Sequence, residues 1–335
     1  MSAAGTASAS APPAPLVERL CVVGVGLIGG SLARAARAAG LCREVVGAGR
    51  EAASLERARA LGVVDRWSLD PAEAAAGAAL VVVAVPVGAM GAVFRALAPA
   101  VRAGAVLTDV GSVKAAVVAT ARRAFGAVPA RLVPGHPIAG TERSGVEASF
   151  AELFRGQRVV LTPLAETDPG ALGLVEALWR GVGATVERMS PEAHDRALAA
   201  TSHLPHLLAY ALVDLLAALE AEGRGDLFPY AGGGFRDFTR IASSDPALWR
   251  DICLANRGPL LELLGRYGAA LEGLRRALEA GDGEALLACF ARAREARDRH
   301  LAELPPLPRS PLPRSPAPRC RRPGDEGPGG EGGTR

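Results

Sequence analysis

The sequence predicts an α/β domain built on a parallel sheet, followed by an all-α domain. Three observations carry this. From Leu20, short β-branched runs alternate with Ala/Arg-rich stretches. Each run is apolar throughout and ends at a glycine, a proline or a capping residue. From Pro191 onward the strand-like runs stop while helical spacing continues. Continuous apolar strands separated by helices imply a parallel sheet covered on both faces.

The strand candidates, in order, are RLCVVGV, EVVGAG, ALVVVAVP, AVLTDV, RLVPG and RVVLTP. The helical region includes EAHDRALAATSHLPHLLAYALVDLLAALEAE, in which Leu204, Leu207, Leu208, Ala211, Leu212 and Leu215 keep helical spacing. So broad an apolar face exceeds what a thin lid needs, and a second copy of the chain is the expected cover, a homodimer. The expected division is a disordered tail over 1–17, a dinucleotide-binding domain over 18–189, a helical domain over 190–304 and a Pro/Gly-rich tail over 305–335. PLPRS, PLPRS and PAPRC follow one another in that last tail, which reads as solvated low-complexity chain.

At 335 residues there is room for two domains of ordinary size. With 49% hydrophobic but only 4% aromatic residues, the core must be mostly Ala, Val and Leu. Net charge is +3, lysine is almost absent and the arginines are scattered, which argues against a nucleic-acid surface. Cys21, Cys42, Cys253, Cys289 and Cys320 form no CxxC pair and read as reduced thiols of a cytoplasmic protein. MSAAGTASASAPPAP has neither the basic start nor the apolar segment of a signal peptide. The continuous run ALVVVAVPVGAM is about half a membrane span and is broken by Pro86, so a soluble protein is expected.

Gly24-x-Gly26-x-x-Gly29 closes the first strand and opens a helix. Gly24 permits the tight turn, Gly26 lets backbone approach a pyrophosphate, and Gly29 seats the helix on the strand with its positive end toward phosphate. With Leu27 and Ile28 between the last two glycines, this is read as the cofactor-binding loop of a Rossmann-type nucleotide-binding domain. The second strand runs into Gly49-Arg50-Glu51, where an NAD site usually presents an acid. Arg50 could pair with a 2′-phosphate, so the residues lean toward NADP, while Glu51 keeps NAD open.

Four further polar segments fall where such a fold places its ligands. TDVGSVK puts Ser112 and Lys114 at the carboxyl edge of the sheet, and GHPIAGTE, read as a loop, puts His136 there too. TSHLPH carries His203 and His206, and GGGFRDFTRIASSDPALWRD carries Arg236, Arg240 and Trp249 behind a glycine run. Blander readings stand beside these: Ser112 as a helix cap, His203 as a core residue, Arg240 as an ion-pair partner of Asp237, Trp249 as packing. His203 and His206 at i, i+3 have no evident third ligand, so no metal is expected.

Taken in order, GVGLIGGS, DVGSVK, GHPIAGTERSGVEAS, TSHLPH and GFRDFTRIASSDPALWRD resemble the prephenate/arogenate dehydrogenases of tyrosine biosynthesis over roughly residues 18–300. The resemblance implies an α/β Rossmann-type nucleotide-binding domain followed by an all-α dimerisation domain, and oxidative decarboxylation of prephenate or arogenate. It implies that His136 is the catalytic histidine and that Ser112 contacts both it and the nicotinamide end. Arg240 would bind a substrate carboxylate, His206 and Trp249 would line the far end of the substrate, and His203 would be secondary. Glu142 and Asp237 would make gate contacts. Neither a chorismate mutase segment nor an ACT-like regulatory unit is expected, so any feedback by tyrosine would act at the active site.

Two rivals remain open. A β-hydroxyacid-type dehydrogenase commonly uses a lysine in its second domain, and no lysine follows Lys114 here. A non-catalytic dinucleotide-binding sensor predicts damage at His136 or Arg240, and both are intact. The choice between prephenate and arogenate is not legible.

Overall fold

The structure is a computed structural model, and it describes residues 14–102, 104–141 and 143–301. Its first part alternates β1 (Val17–Val23), α1 (Leu27–Ala38), β2 (Cys42–Ala48), α2 (Ala52–Ala60), β3 (Arg66–Ser68), α3 (Pro71–Ala75), β4 (Leu80–Val83), α4 (Met90–Arg102), β5 (Val106–Asp109), α5 (Lys114–Phe125) and β6 (Leu132–Val133). These strands form one six-stranded sheet in the order β3-β2-β1-β4-β5-β6, and every pairing is parallel. This is the doubly wound order, whose reversal beside β1 opens a crevice at the carboxyl ends of the strands.

Both faces of the sheet are buried, as continuous apolar strands require. Leu20 and Val22 of β1 join Leu32, Leu80, Val82, Phe154 and Trp179 on one side. Their neighbours Cys21 and Val23 join Val81, Val83, Phe94 and Leu97 on the other. The two cores alternate residue by residue along the strand, so the helices of both layers are held by the same seven-residue strand.

A second, three-stranded sheet follows: β7 (Gly135–Pro137), β8 (Arg158–Leu161) and β9 (Thr185–Arg188), with α6 (Pro169–Gly181) between the last two. It corrects the sequence reading twice. His136 lies in a strand rather than a loop, opposite Val160 in an antiparallel pair, and RVVLTP leaves the parallel sheet to pair with β7 and β9. The chain parts from the first sheet because Pro134 has no N–H and the Gly135 N–H is taken by the Asp109 carboxylate at 3.1 Å. β3 and β9 were not legible at all. Both are short and half-exposed, and their sequences RWS and TVER mix polar with apolar residues.

The remainder is helical: α7 (Pro191–Leu198), a π-helical turn at Ala199–His203, α8 (Leu204–Ala221), α9 (Gly233–Thr239), α10 (Pro246–Ala255), α11 (Arg257–Ala280) and α12 (Gly283–Leu301). Little of it is buried within one chain. Leu215, Leu254, Leu261, Leu271, Leu278, Leu287 and Phe290 are all exposed. Averaged over 18 residues, the run Pro191–Ala221 reaches a mean hydropathy of 1.5, long and apolar enough for a membrane span by length and composition alone. Counting unbroken apolar residues misses it, because single polar residues interrupt it.

Candidate active site

The glycine loop between β1 and α1 divides its work as the spacing suggests. Gly24 has φ +98°, and a Cβ there would stand 2.3 Å from the Ala84 carbonyl oxygen. A Cβ on Gly29 would stand 2.1 Å from the Gly24 carbonyl oxygen. Around Gly26, by contrast, a Cβ would meet nothing within 4 Å. Gly26 is also the N-cap of α1, with no side-chain cap on the first-turn amides. Open space in front of uncapped amides suits a pyrophosphate, so the loop fits a dinucleotide. Leu27 and Ile28 start the helix and pack partly against the core. At the end of β2, Arg50 and Glu51 are both exposed, and the Glu51 carboxylate accepts from the Ser54 hydroxyl at 3.1 Å.

His136 is half-buried, and its ring is placed by a neighbour that sequence reading passed over. Its Nδ1 lies 2.9 Å from Nε2 of His194, whose Nδ1 lies 2.7 Å from Oδ1 of Asp195. The same carboxylate accepts from the Lys114 N–H at 2.7 Å and the Ala115 N–H at 2.9 Å. Asp195 therefore caps α5 from across the boundary between the two parts of the chain. Its oxygens only accept, so a neutral His194 carries its proton on Nδ1 and leaves Nε2 to accept. His136 must then donate from Nδ1, which leaves the lone pair of its Nε2 available. Burial and the nearby charges of Lys114, His194 and His203 hold the His136 imidazole well below its ordinary range. It is neutral at neutral pH.

The helical part supplies the rest. Asn256 donates its side-chain amide to the Asp195 carbonyl at 2.8 Å and to His203 Nδ1 at 3.0 Å. The His203 proton then sits on Nε2, which has no partner among the described residues. Burial pushes this imidazole down to about 4. His203 meets Trp249 edge-on at 6.1 Å, while His206 stacks on Trp249 with ring centroids 3.5 Å apart and 18° between planes. The His206 Nδ1–H bonds the Ser202 carbonyl at 2.9 Å. Burial lowers the His206 pKa, and the positive charge of Arg240 lowers it further. Arg240 itself is exposed at the end of α9, and Gly233 and Gly234 are the first residues of that helix. Ser112 is half-buried just before α5.

The structure thus gathers four of the five histidines around one place: His136, His194, His203 and His206. Arg50 stands apart at the end of β2, where a ribose would lie in such a fold. Glu142 lies outside the described residues, as do residues 1–13 and 302–335; of the tail expected over 1–17, Val17 already belongs to β1 and is buried. His194, Asp195 and Asn256 were missed. The available signal was the pair His194-Asp195 in the first turn of a predicted helix, in a chain that spends histidine sparingly.

Residues 32–188 match the family profile described as prephenate dehydrogenase, nucleotide-binding domain, and residues 190–292 match prephenate dehydrogenase, dimerization domain. The chain is 41% identical to the cyclohexadienyl dehydrogenase of Zymomonas mobilis over 84% of its own length and 95% of that protein's. It is 35% identical to the prephenate dehydrogenase of Bacillus subtilis, over 84% of this chain and 76% of the other. The crystal structure of prephenate dehydrogenase from Aquifex aeolicus in complex with hydroxyphenyl propionate and NAD+ superposes with a TM-score of 0.78 at 37% identity, covering 84% of this chain and 98% of that one. The chain belongs to the prephenate dehydrogenase family.

Proposed function

We propose that this oxidoreductase oxidises prephenate and decarboxylates it to 4-hydroxyphenylpyruvate, with His136 as the base. A bound nicotinamide dinucleotide supplies the hydride acceptor, held by the loop Gly24–Gly29. The observation that carries the reading is the free lone pair on His136 Nε2, fixed by the His194–Asp195 pair behind it. As hydride leaves the carbinol carbon, the hydroxyl becomes acidic and Nε2 takes its proton. The ring carboxylate then departs as carbon dioxide, and the electrons of the broken bond restore aromaticity. His136 returns the proton to the ring oxygen, so none is lost overall. Ser112, at the sheet edge, is assigned to orienting His136 and the nicotinamide end.

Arg240 would hold a substrate carboxylate through a charge-assisted contact, and the stacked His206–Trp249 pair would line the side-chain end, with His203 behind it. A cation whose charge acts on His206 suits a keto acid better than the ammonium of arogenate. The hydroxyphenyl propionate bound by the Aquifex aeolicus relative shares the hydroxyphenyl ring of the product proposed here. For the cofactor, NADP is the finer proposal, because Arg50 is exposed at the end of β2 and Glu51 is engaged with Ser54. The bare apolar faces of α8, α11 and α12, within the matched dimerization domain, support a homodimer. A monomer in sedimentation at micromolar concentration would remove it. With Cys21, Cys42, Cys253 and Cys289 all free, a reducing cytoplasmic setting is proposed.

The test is formation of reduced cofactor in a two-by-two assay, prephenate or arogenate against NAD or NADP. Activity with prephenate supports the reading, and the cofactor pattern settles the role of Arg50. Silence in every combination, from folded protein that binds a dinucleotide, would favour a non-catalytic sensor.

A further inference from the structure

Lys114 is the chain's one lysine, against arginine at every other position of that charge. It is also fully buried, with a side chain 0% exposed, and so is its partner Asp109. An ammonium and a carboxylate taken wholly out of water need a reason beyond stability, since such pairs rarely repay their desolvation.

The contacts give one. The Lys114 Nζ donates to Asp109 Oδ2 and to the Gly135 carbonyl oxygen. Asp109 Oδ1 accepts from the Gly135 N–H at 3.1 Å, and Oδ2 also accepts from the Gly111 N–H at 2.7 Å. One ion pair therefore holds Gly135, the residue before His136, by both its N–H and its carbonyl. A Cβ on Gly135 would stand 3.0 Å from Leu161 Cδ2 and 3.2 Å from the Asp109 carbonyl oxygen, so the approach is close. The Lys114 backbone N–H meets Asp195, the far end of the chain of contacts that fixes the His136 ring. Backbone and ring of the same histidine are thus tied to one residue from two directions.

We propose that the Asp109–Lys114 pair is a positioning device for His136, holding its backbone through Gly135 and its ring through Asp195. Burial is the first cause of the low His136 pKa, and the Lys114 ammonium is the largest of the charges that add to it, ahead of His194 and His203. The other charged groups facing this region are Asp109 on β5 and Asp195 on α7. A lysine suits the task because a compact ammonium can address two acceptors at a buried point, where a planar guanidinium would need more room. The proposal rests on the reading of His136 as the base.

The experiment pairs kinetics with a spectroscopic reading of the single lysine. Lys114→Met, and the paired variant Asp109→Asn/Lys114→Met that leaves no stranded carboxylate, are compared with the unaltered enzyme across pH. The expected result is a fall in kcat of ~10–100-fold at constant KM and constant dinucleotide affinity. The acid limb of the kcat profile should also move upward by about one pH unit, because removing a nearby cation raises the imidazole pKa. Folded variants whose kcat and acid limb are unchanged would overturn the proposal, and so would a fall in kcat with a fixed acid limb. In unaltered protein labelled with 15N-lysine, one slowly exchanging ammonium signal at neutral pH is expected without any assignment. Its loss to fast exchange would equally sink the buried pair, even if neither variant folds. His136→Asn keeps the two ideas apart: if that variant retains activity and its acid limb, the base assignment fails whatever Lys114 does.

Discussion

His136 Nδ1 and His194 Nε2 stand 2.9 Å apart, and the direction of that hydrogen bond decides whether the enzyme has a base. With Asp195 accepting from His194, the outer nitrogen of His136 is free to take a proton. Asp195→Ala would remove the acceptor that holds the His194 proton on Nδ1, so that the His136–His194 bond would be free to run in either direction and the outer lone pair would no longer be fixed. The expected loss in kcat is about two orders of magnitude or more, in a protein whose dinucleotide affinity is unchanged. His136→Asn should cost about two to four orders. Since both act through one nitrogen, the double variant should be little slower than His136→Asn alone, and additive losses would break the link.

The buried neutral histidines make the fold acid-sensitive in a defined window. Unfolded, the His203 imidazole titrates near 6.5; folded, burial pushes it down to about 4. Between these values the unfolded chain holds more protons, so stability is full above the upper value and declines as pH falls through the window. The loss attributable to His203 is ~3 kcal/mol at the acid end, and His136 adds in the same direction. Urea midpoints measured at intervals across this range should fall toward acid, and His203→Asn should flatten the slope. A variant slope equal to that of the unaltered protein would show that another group carries the effect.

How far these features were legible follows from what sequence patterns encode. The six-stranded sheet is written in runs such as ALVVVAVP and RLCVVGV, because a strand buried on both faces must be apolar at every position. The glycine loop is written in spacing, since each glycine answers a separate steric demand. Short edge strands carry no such constraint, and β3 and β9 left no trace. His136 was visible, but its strand was not, because three residues with a glycine and a proline look like a turn. The His194–Asp195 pair was invisible as a site for a different reason. Its function comes from a contact between residues 58 apart, which only the packing of α7 on α5 creates. The Asp109–Lys114 pair was half legible: the sole lysine is a sequence fact, while its double hold on Gly135 is not.

Arg240 and Trp249 should separate binding from chemistry. Arg240 is exposed at the end of α9, and its charge acts on His206 rather than being among those that act on His136. Arg240→Gln removes a charge-assisted contact, with an expected rise in KM of ~10-fold or more and a small change in kcat. Trp249→Ala removes the surface against which His206 stacks at 3.5 Å, freeing that ring to turn. It should raise KM too, and its pH profile should keep the acid limb of the unaltered enzyme. An unaltered KM in Arg240→Gln would take that residue out of the substrate site.

The three glycines of the first loop make opposite predictions from the same substitution. Gly24→Ala forces a side chain onto φ +98° and drives its Cβ to 2.3 Å from the Ala84 carbonyl oxygen. The strained backbone alone costs ~1–3 kcal/mol, and the clash adds to it. Gly29→Ala meets the Gly24 carbonyl oxygen at 2.1 Å and must push α1 off the strand. Both should lower the thermal midpoint. Gly26→Ala meets nothing within 4 Å, so the fold should accept it with its midpoint nearly unchanged. The added methyl instead occupies the space in front of the first amides of α1, where a pyrophosphate would sit. Dinucleotide affinity should therefore fall by ~10-fold or more in Gly26→Ala, measured by calorimetry on protein of normal stability. Unimpaired binding there would mean that the dinucleotide does not approach through this gap, and the assignment of the loop would have to be given up.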